Sequence, residues 1–197
     1  MSIENVMAYA QTLVGLPYRW YTPNEVFEGN NKFWADNNKH VTAEYIKKND
    51  KCIVCTGLIN LMRRYMNLRI PGTEDTMDIS VRDLYKDCPG GTGAWFVYLQ
   101  NNNRLEKINR HKSYPKGTLL LAPWISDIGD QGHAAVVLDK SKTLIDQKII
   151  HARPTLECNE CNVTKNHGSL EIESFISYDK GTYFKYVCYP ENWLLID

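Results

Sequence analysis

The sequence predicts an α+β fold in which helices from the first half of the chain pack on an antiparallel β-sheet from the second half. In the first half, Leu58, Ile59, Leu61, Met62 and Met66 recur at three- and four-residue spacing, the period of a helix. From residue 114 onward, short apolar runs separated by turn residues are typical of strands. Helices followed by strands, rather than alternating with them, indicate the α+β class.

The length of 197 residues fits a single domain, predicted to span residues 1–197. Residues 22–50 are polar and show no clear period before a short helix predicted at 41–48. We therefore interpret 22–50 as an elaborated loop inserted into the domain.

The remaining helices are marked by caps and breaks. Ser2 is predicted to cap a first helix that ends at Gly15, and a second long helix is predicted to begin near Cys55. Further short helices are expected at residues 77–85 and 94–99, on either side of a glycine-rich break.

Four strands are predicted in the second half. The run at 118–122 is continuously apolar, as expected for a strand buried on both faces. The other strands are expected at 133–139, 148–152 and 183–189, with a loop at 158–167.

The charge balance excludes several partners. Lysine plus arginine and aspartate plus glutamate both total 23, so no net field attracts nucleic acid or an anionic membrane.

The longest apolar run is far too short to cross a bilayer, and the first residues lack the pattern of a signal peptide. We predict a cytoplasmic protein. The Asn-, Lys-, Ile- and Tyr-rich composition is typical of an A/T-rich viral or parasite genome, so a viral protein would reside in the host cytoplasm or the virion.

Cys55 is the first candidate for chemistry. A thiol at the start of a helix lies at the positive end of the peptide dipole, beside unpaired backbone N–H groups. That environment lowers the pKa of a cysteine and favours the nucleophilic thiolate. The alternative is an ordinary buried cysteine.

Two histidines are expected to lie near each other in the sheet. If strands 133–139 and 148–152 form a hairpin centred near residue 142, His133 and His151 are both nine residues from the centre. Such cross-strand partners lie roughly 5 Å apart on one face. A thiolate needs a base, and the base needs a group that orients its ring, so His133 and His151 match these roles in type.

Short motifs resemble those of the NlpC-like cysteine peptidases, a superfamily with the papain fold best known for cutting peptide stems of bacterial cell walls. Residues 15–20 (Gly-Leu-Pro-Tyr-Arg-Trp) resemble the Gly-x-Pro-Tyr-x-Trp motif, and 55–59 (Cys-Thr-Gly-Leu-Ile) resemble the nucleophile motif. Residues 116–120 resemble the family's Pro-Gly-Asp-Leu strand, and residues 132–138 resemble the strand that carries its catalytic histidine. Residues 149–152 resemble the next strand, which carries the polar third residue of the catalytic set. The motifs occur in the family's order across most of the chain.

The resemblance implies a cysteine hydrolase that cleaves an amide or peptide bond through a thioester, with no cofactor. Cys55 corresponds to the nucleophile, His133 to the general base, and His151 to the residue that orients it. Tyr18 corresponds to a tyrosine lining the oxyanion side of the cleft. Val54 and Thr118 stand where the family usually has acidic residues, and 37 positions separate Tyr18 from Cys55, which leaves the substrate open.

Two alternatives remain open. The pairs Cys52/Cys55 and Cys158/Cys161 have zinc-ligand spacing, and a smaller metal site could use Cys158, Cys161 and His167. Cys52 could also be a redox partner of Cys55, although burial just before the helix is favoured; Cys88 and Cys188 are interpreted as packing residues. The other alternative is a non-catalytic binding or structural protein, for example one in a virion, whose 22–50 loop covers the cleft.

Overall fold

The computed structural model describes residues 2–18, 42–48, 52–73, 89–123, 132–154, 168–180 and 183–196. The helices in this part of the chain are α1 (Ile3–Thr12), α2 (Ala43–Lys48), α3 (Cys55–Tyr65), α4 (Thr92–Asn101), α5 (Phe175–Asp179) and α6 (Pro190–Trp193). The strands are β1 (Glu106–Lys107), β2 (Leu119–Ala122), β3 (His133–Val137), β4 (Lys148–Pro154), β5 (Gly168–Ser174) and β6 (Tyr186–Cys188).

The six strands form one antiparallel sheet in the order β1-β6-β2-β3-β4-β5. The chain therefore combines helices with an antiparallel sheet, which confirms the predicted α+β class. The four predicted strands are all present, although the last shortens from 183–189 to β6.

The helix that carries Cys55 begins where the sequence predicts. Its apolar stripe packs against β3 and β4, and against α1 on its other side. Ser2 caps α1 as expected, since its hydroxyl accepts a hydrogen bond from Asn5 N at 3.2 Å. The predicted helix at 94–99 is also confirmed and is longer, as α4.

Gly15 was predicted to end α1, and that prediction is wrong. The helix ends at Thr12, and Gly15 N donates instead to Leu170 O of β5 at 2.8 Å. The chain then follows the edge of β5, where Leu170 N donates to Leu16 O at 2.9 Å and Tyr18 N to Gly168 O at 2.9 Å. Residues 16–18 are thus a short segment that, together with the Gly15 N–H, satisfies part of this sheet edge.

Alternating side chains divide the core between the two faces of the sheet. Ala134, Val136 and Ile150 point toward α3 and join the larger apolar cluster. Ala135 and Val137 point the other way, toward Phe175 of α5. His133 precedes Ala135 by two residues, so it belongs to the α5 face at the very start of β3.

Some predictions fall outside the described residues. These are the helix at 77–85, the loop at 158–167, Cys88 and most of the 22–50 insertion; within the insertion, the structure describes α2 where a short helix was expected.

Candidate active site

Cys55 is the first residue of α3. The preceding residue, Val54, is extended, with φ −108° and ψ 172°, and makes no side-chain cap. The first turn contains no acidic residue, so the positive end of the helix dipole remains uncompensated by its own side chains. The Cys55 side chain is buried, with 7% of the residue exposed. Its location matches the prediction made from the sequence.

The segment before Cys55 is held at the end of the sheet where β3 begins. Ile53 bridges to Tyr18 in parallel, and Ile53 N donates to Pro17 O at 2.9 Å. Tyr18 is in turn bonded to Gly168, which pairs with Pro154 at the end of β4. Antiparallel neighbours bring the end of β4 next to the start of β3. The head of α3 and His133 therefore lie at the same end of the sheet.

The predicted hairpin register is wrong by two residues. Val136 pairs with Ile150 and Val137 with Ile149, so the hairpin is centred at residue 143 rather than 142. Continued along β3, this register sets His133 opposite Arg153, with His151 as the diagonal neighbour. Diagonal side chains still share a face and are within reach of each other when they are long. The shift therefore preserves the contact between the histidines.

The two imidazoles are joined directly. His133 Nε2 lies 2.7 Å from His151 Nδ1, and both residues are buried, with exposures of 4% and 0%. His151 Nε2 lies 2.6 Å from Glu173 Oε1, on the neighbouring strand β5. Arg153 Nε donates to the same Glu173 oxygen at 2.7 Å. The result is a continuous chain of side chains, in the order Arg153, Glu173, His151, His133.

Tyr178 connects this chain to the cysteine. Its ring centroid lies 4.5 Å from that of His151 and 5.0 Å from that of His133. Burial raises the pKa of Tyr178, and the charges of Tyr183 and then Cys55 raise it further. Burial also raises the pKa of Tyr18, followed by the charge of Cys55. Both tyrosines therefore interact electrostatically with Cys55, and Tyr178 also contacts both histidines.

Burial decides the charge state of the site. It lowers the pKa of His133 well below 6.5, and neighbouring His151 and Arg153 lower it further. It also lowers the pKa of His151, against the opposing effect of Glu173. The hydrogen bond from His151 and the charge of Arg153 lower the pKa of Glu173. At neutral pH, both imidazoles are therefore neutral and Glu173 is a carboxylate.

Cys52 is buried just before α3, as favoured by the sequence, and is not disulfide-bonded to Cys55. Because Ile53 is in a bridge and Val54 is extended, the two Cα atoms lie about 10 Å apart at ~3.3 Å per residue. A disulfide requires less than about 7 Å. The backbone therefore argues against the redox-partner alternative. Cys188 is fully buried in the core, which agrees with its predicted packing role.

The metal alternatives depend on Cys158, Cys161 and His167, which lie outside the described residues. In the described part of the chain, no three His, Cys, Asp or Glu side chains are grouped as metal ligands. No helix in the same ranges has the length and apolar character needed to cross a bilayer.

Three residues of the site were missed from the sequence: Arg153, Glu173 and Tyr178. The strand β5 that carries Glu173 was not predicted, although Leu170, Glu171, Ile172 and Glu173 alternate in the period of a strand. That alternation was the available signal. No sequence pattern indicated that Tyr178, on the five-residue helix α5, would contact both histidines.

Comparison with protein-family models gives no match for this sequence, and comparison with curated proteins gives none either. The resemblance to NlpC-like peptidases therefore depends on the short motifs.

Proposed function

We propose that this protein is a cysteine hydrolase with a papain-like fold of the NlpC type, acting on an amide or peptide bond such as those of peptidoglycan stems. Cys55 is the nucleophile, His133 the general base and then acid, and His151 the residue that positions His133. The observation that carries the proposal is the 2.7 Å contact between His133 Nε2 and His151 Nδ1, at the rim of the sheet where α3 begins with Cys55.

The arrangement of elements supports the proposed fold. The helix headed by the cysteine packs on two adjacent antiparallel strands. One of these strands begins with His133, and the next carries His151. The sequence motifs occur in the same order along the chain.

The chemistry follows from these positions. His133 takes the proton from the Cys55 thiol as the sulfur attacks the substrate carbonyl. The backbone N–H of Cys55 and the Tyr18 hydroxyl stabilise the negative oxygen of the tetrahedral intermediate. His133 then returns its proton to the leaving amine, and a thioester remains on Cys55. Water attacks the thioester with His133 again acting as base, which releases the acid and restores the thiol.

Thiol alkylation across pH tests this proposal. At pH 7, iodoacetamide should label Cys55 faster than the other five cysteines, with an apparent pKa below the free value of about 8.5, because first-turn N–H groups stabilise its thiolate. Cys188 is the internal comparison, since burial raises its pKa to about 12. Replacing His133 with alanine should slow Cys55 labelling on the order of 10²-fold, the lower end of the contribution of a positioned base. Uniformly slow labelling of all six thiols, read by mass spectrometry, would contradict the proposal.

The non-catalytic binding protein remains a second candidate because both Cys55 and His133 are almost fully buried. The same experiment separates the two proposals. A catalytic site should react with a peptide-sized chloromethyl ketone as well as with iodoacetamide, whereas a closed site should react only with the small reagent.

A further inference from the structure

We propose that Glu173 is a positioning residue that fixes the tautomers of both histidines and leaves Nδ1 of His133 as the nitrogen that acts as base. This inference rests on the proposed function for its catalytic meaning. The positions of the two imidazole protons can be measured whether or not the protein has catalytic activity.

The proton positions follow from Glu173 inward. A carboxylate only accepts hydrogen bonds, so His151 Nε2, 2.6 Å from Glu173 Oε1, carries a hydrogen. A neutral imidazole has one N–H, and the remaining nitrogen, His151 Nδ1, is therefore an acceptor. His133 Nε2, 2.7 Å away, must then be the donor. Since His133 is also neutral, its own Nδ1 has no hydrogen and offers a lone pair.

This tautomer suits the proposed reaction. When the Cys55 proton moves to His133 Nδ1, Nε2 keeps its hydrogen and continues to donate to His151. No proton has to move between His133, His151 and Glu173, and neither imidazole ring has to turn. The positive charge that forms on His133 is stabilised by the Glu173 carboxylate beyond His151.

Arg153 keeps Glu173 in the required state. Its Nε donates to Glu173 Oε1 at 2.7 Å, while another guanidinium nitrogen lies 3.4 Å from Glu171 Oε2. Without the Glu173 acceptor, His151 can place its hydrogen on Nδ1 and donate to His133. The His133 proton would then occupy Nδ1, and that nitrogen could not accept the proton of the thiol.

The closest control is on the same strand. Glu171 lies on the same face as Glu173, but it accepts its hydrogen bonds from Ser169 and Arg153. Glu171→Leu therefore removes the same charge from the same strand without taking the acceptor from His151 Nε2. Glu173→Asp keeps the charge and serves as the rescue variant.

The experiment is long-range ¹H–¹⁵N correlation of the imidazole nitrogens in ¹⁵N-histidine-labelled protein at neutral pH, which distinguishes the two tautomers. We expect His133 and His151 both as Nε2–H in the unsubstituted protein and in Glu171→Leu, and Nδ1–H forms of both in Glu173→Leu, which leaves no side-chain acceptor at position 173. Alkylation of Cys55 should slow in Glu173→Leu on the order of 10²-fold and change its pH profile, with partial recovery in Glu173→Asp.

A hydrogen on Nδ1 of His133 in the unsubstituted protein overturns the inference, even if Glu173→Leu does not fold. Unchanged tautomers in a folded Glu173→Leu protein overturn it as well. If the tautomers are as expected but Cys55 is inert, the proposed function fails and the positioning role of Glu173 stands.

Discussion

At the scale of single residues, the candidate site depends on four side chains from three adjacent strands. Glu173 accepts hydrogen bonds from Arg153 and His151, and His151 is hydrogen-bonded to His133. The two histidines are buried, whereas the side chains of Arg153 and Glu173 are 19% and 17% exposed. An unpaired imidazole nitrogen in the buried part would be costly. The orientation of the His133 ring therefore depends on all the hydrogen bonds from Arg153 to His151, and not on His133 alone.

Gly168 is a second point where one residue determines the geometry of the site. Its φ of +147° is unfavourable for residues with a side chain, and an added Cβ would lie 2.1 Å from Arg153 O. Gly168→Ala should therefore lower the free energy of unfolding by about 2–4 kcal/mol, since both strain and a backbone clash are introduced.

The matched control for this prediction is Gly15→Ala. Gly15 also has a positive φ of +85°, but nothing lies within 4 Å of the added Cβ. Its cost should be limited to the conformational strain of about 1–2 kcal/mol. Urea denaturation of both variants measures the difference, and equal losses at the two positions would show that the clash at Gly168 does not matter.

At the scale of elements, the pairing of β3 with β4 explains why an inaccurate sequence prediction still found the histidine pair. The register was wrong by two residues, yet side chains alternate with a period of two, so His133 and His151 stayed on the same face. An error of one residue would have placed them on opposite faces. The hairpin turn contains a 3₁₀-helical turn at Leu144–Asp146, whose effect on the centre of the hairpin could not be deduced from spacing.

The elements that sequence reasoning found are those with strong local signals. The helix that begins at Cys55 has an apolar stripe, and β2 is uniformly apolar and uniformly buried. The missed strand β5 lies at the sheet edge and is largely polar, so its alternation was weak. Because Glu173 belongs to that strand, the acceptor that orders both histidines was missed together with it.

At the scale of the whole molecule, the candidate site lies between the two halves of the core. The α3 face of the sheet carries the larger apolar cluster, and the α5 face carries the smaller one. The histidines contact the edge of the smaller cluster, where the rings of Tyr178 and Phe184 lie against His133. This location buries two titratable groups in their neutral form, which links the stability of the fold to pH.

We predict that acid destabilises the protein through these two histidines. The folded-state pKa of each is lowered by burial, whereas the unfolded chain binds protons near pH 6.5. Below that pH the unfolded state gains protons that the folded state excludes, so the free energy of unfolding should fall as pH falls. The expected slope is up to about 1.4 kcal/mol per pH unit for each histidine.

Urea denaturation between pH 7 and 5 measures this slope. His133→Asn should remove the contribution of one histidine, so the slope of the free energy of unfolding against pH should roughly halve. His111→Asn, a change at an exposed position, is the control and should leave the slope unchanged. Stability that is constant or rises on acidification over this range would show that the histidines are not held neutral in the fold.

The proposal requires the Cys55 sulfur and the His133 ring to lie close enough to act on the same substrate bond. Crosslinking with 1,3-dibromoacetone tests this most directly. The thiolate displaces one bromide, and the tethered bromoketone then alkylates a nucleophile within reach of its three-carbon bridge. We expect tandem mass spectrometry to find the Cys55 peptide linked to the His133 peptide, through the imidazole. A Cys55 adduct that is linked to any other residue, or to none, would contradict the claim.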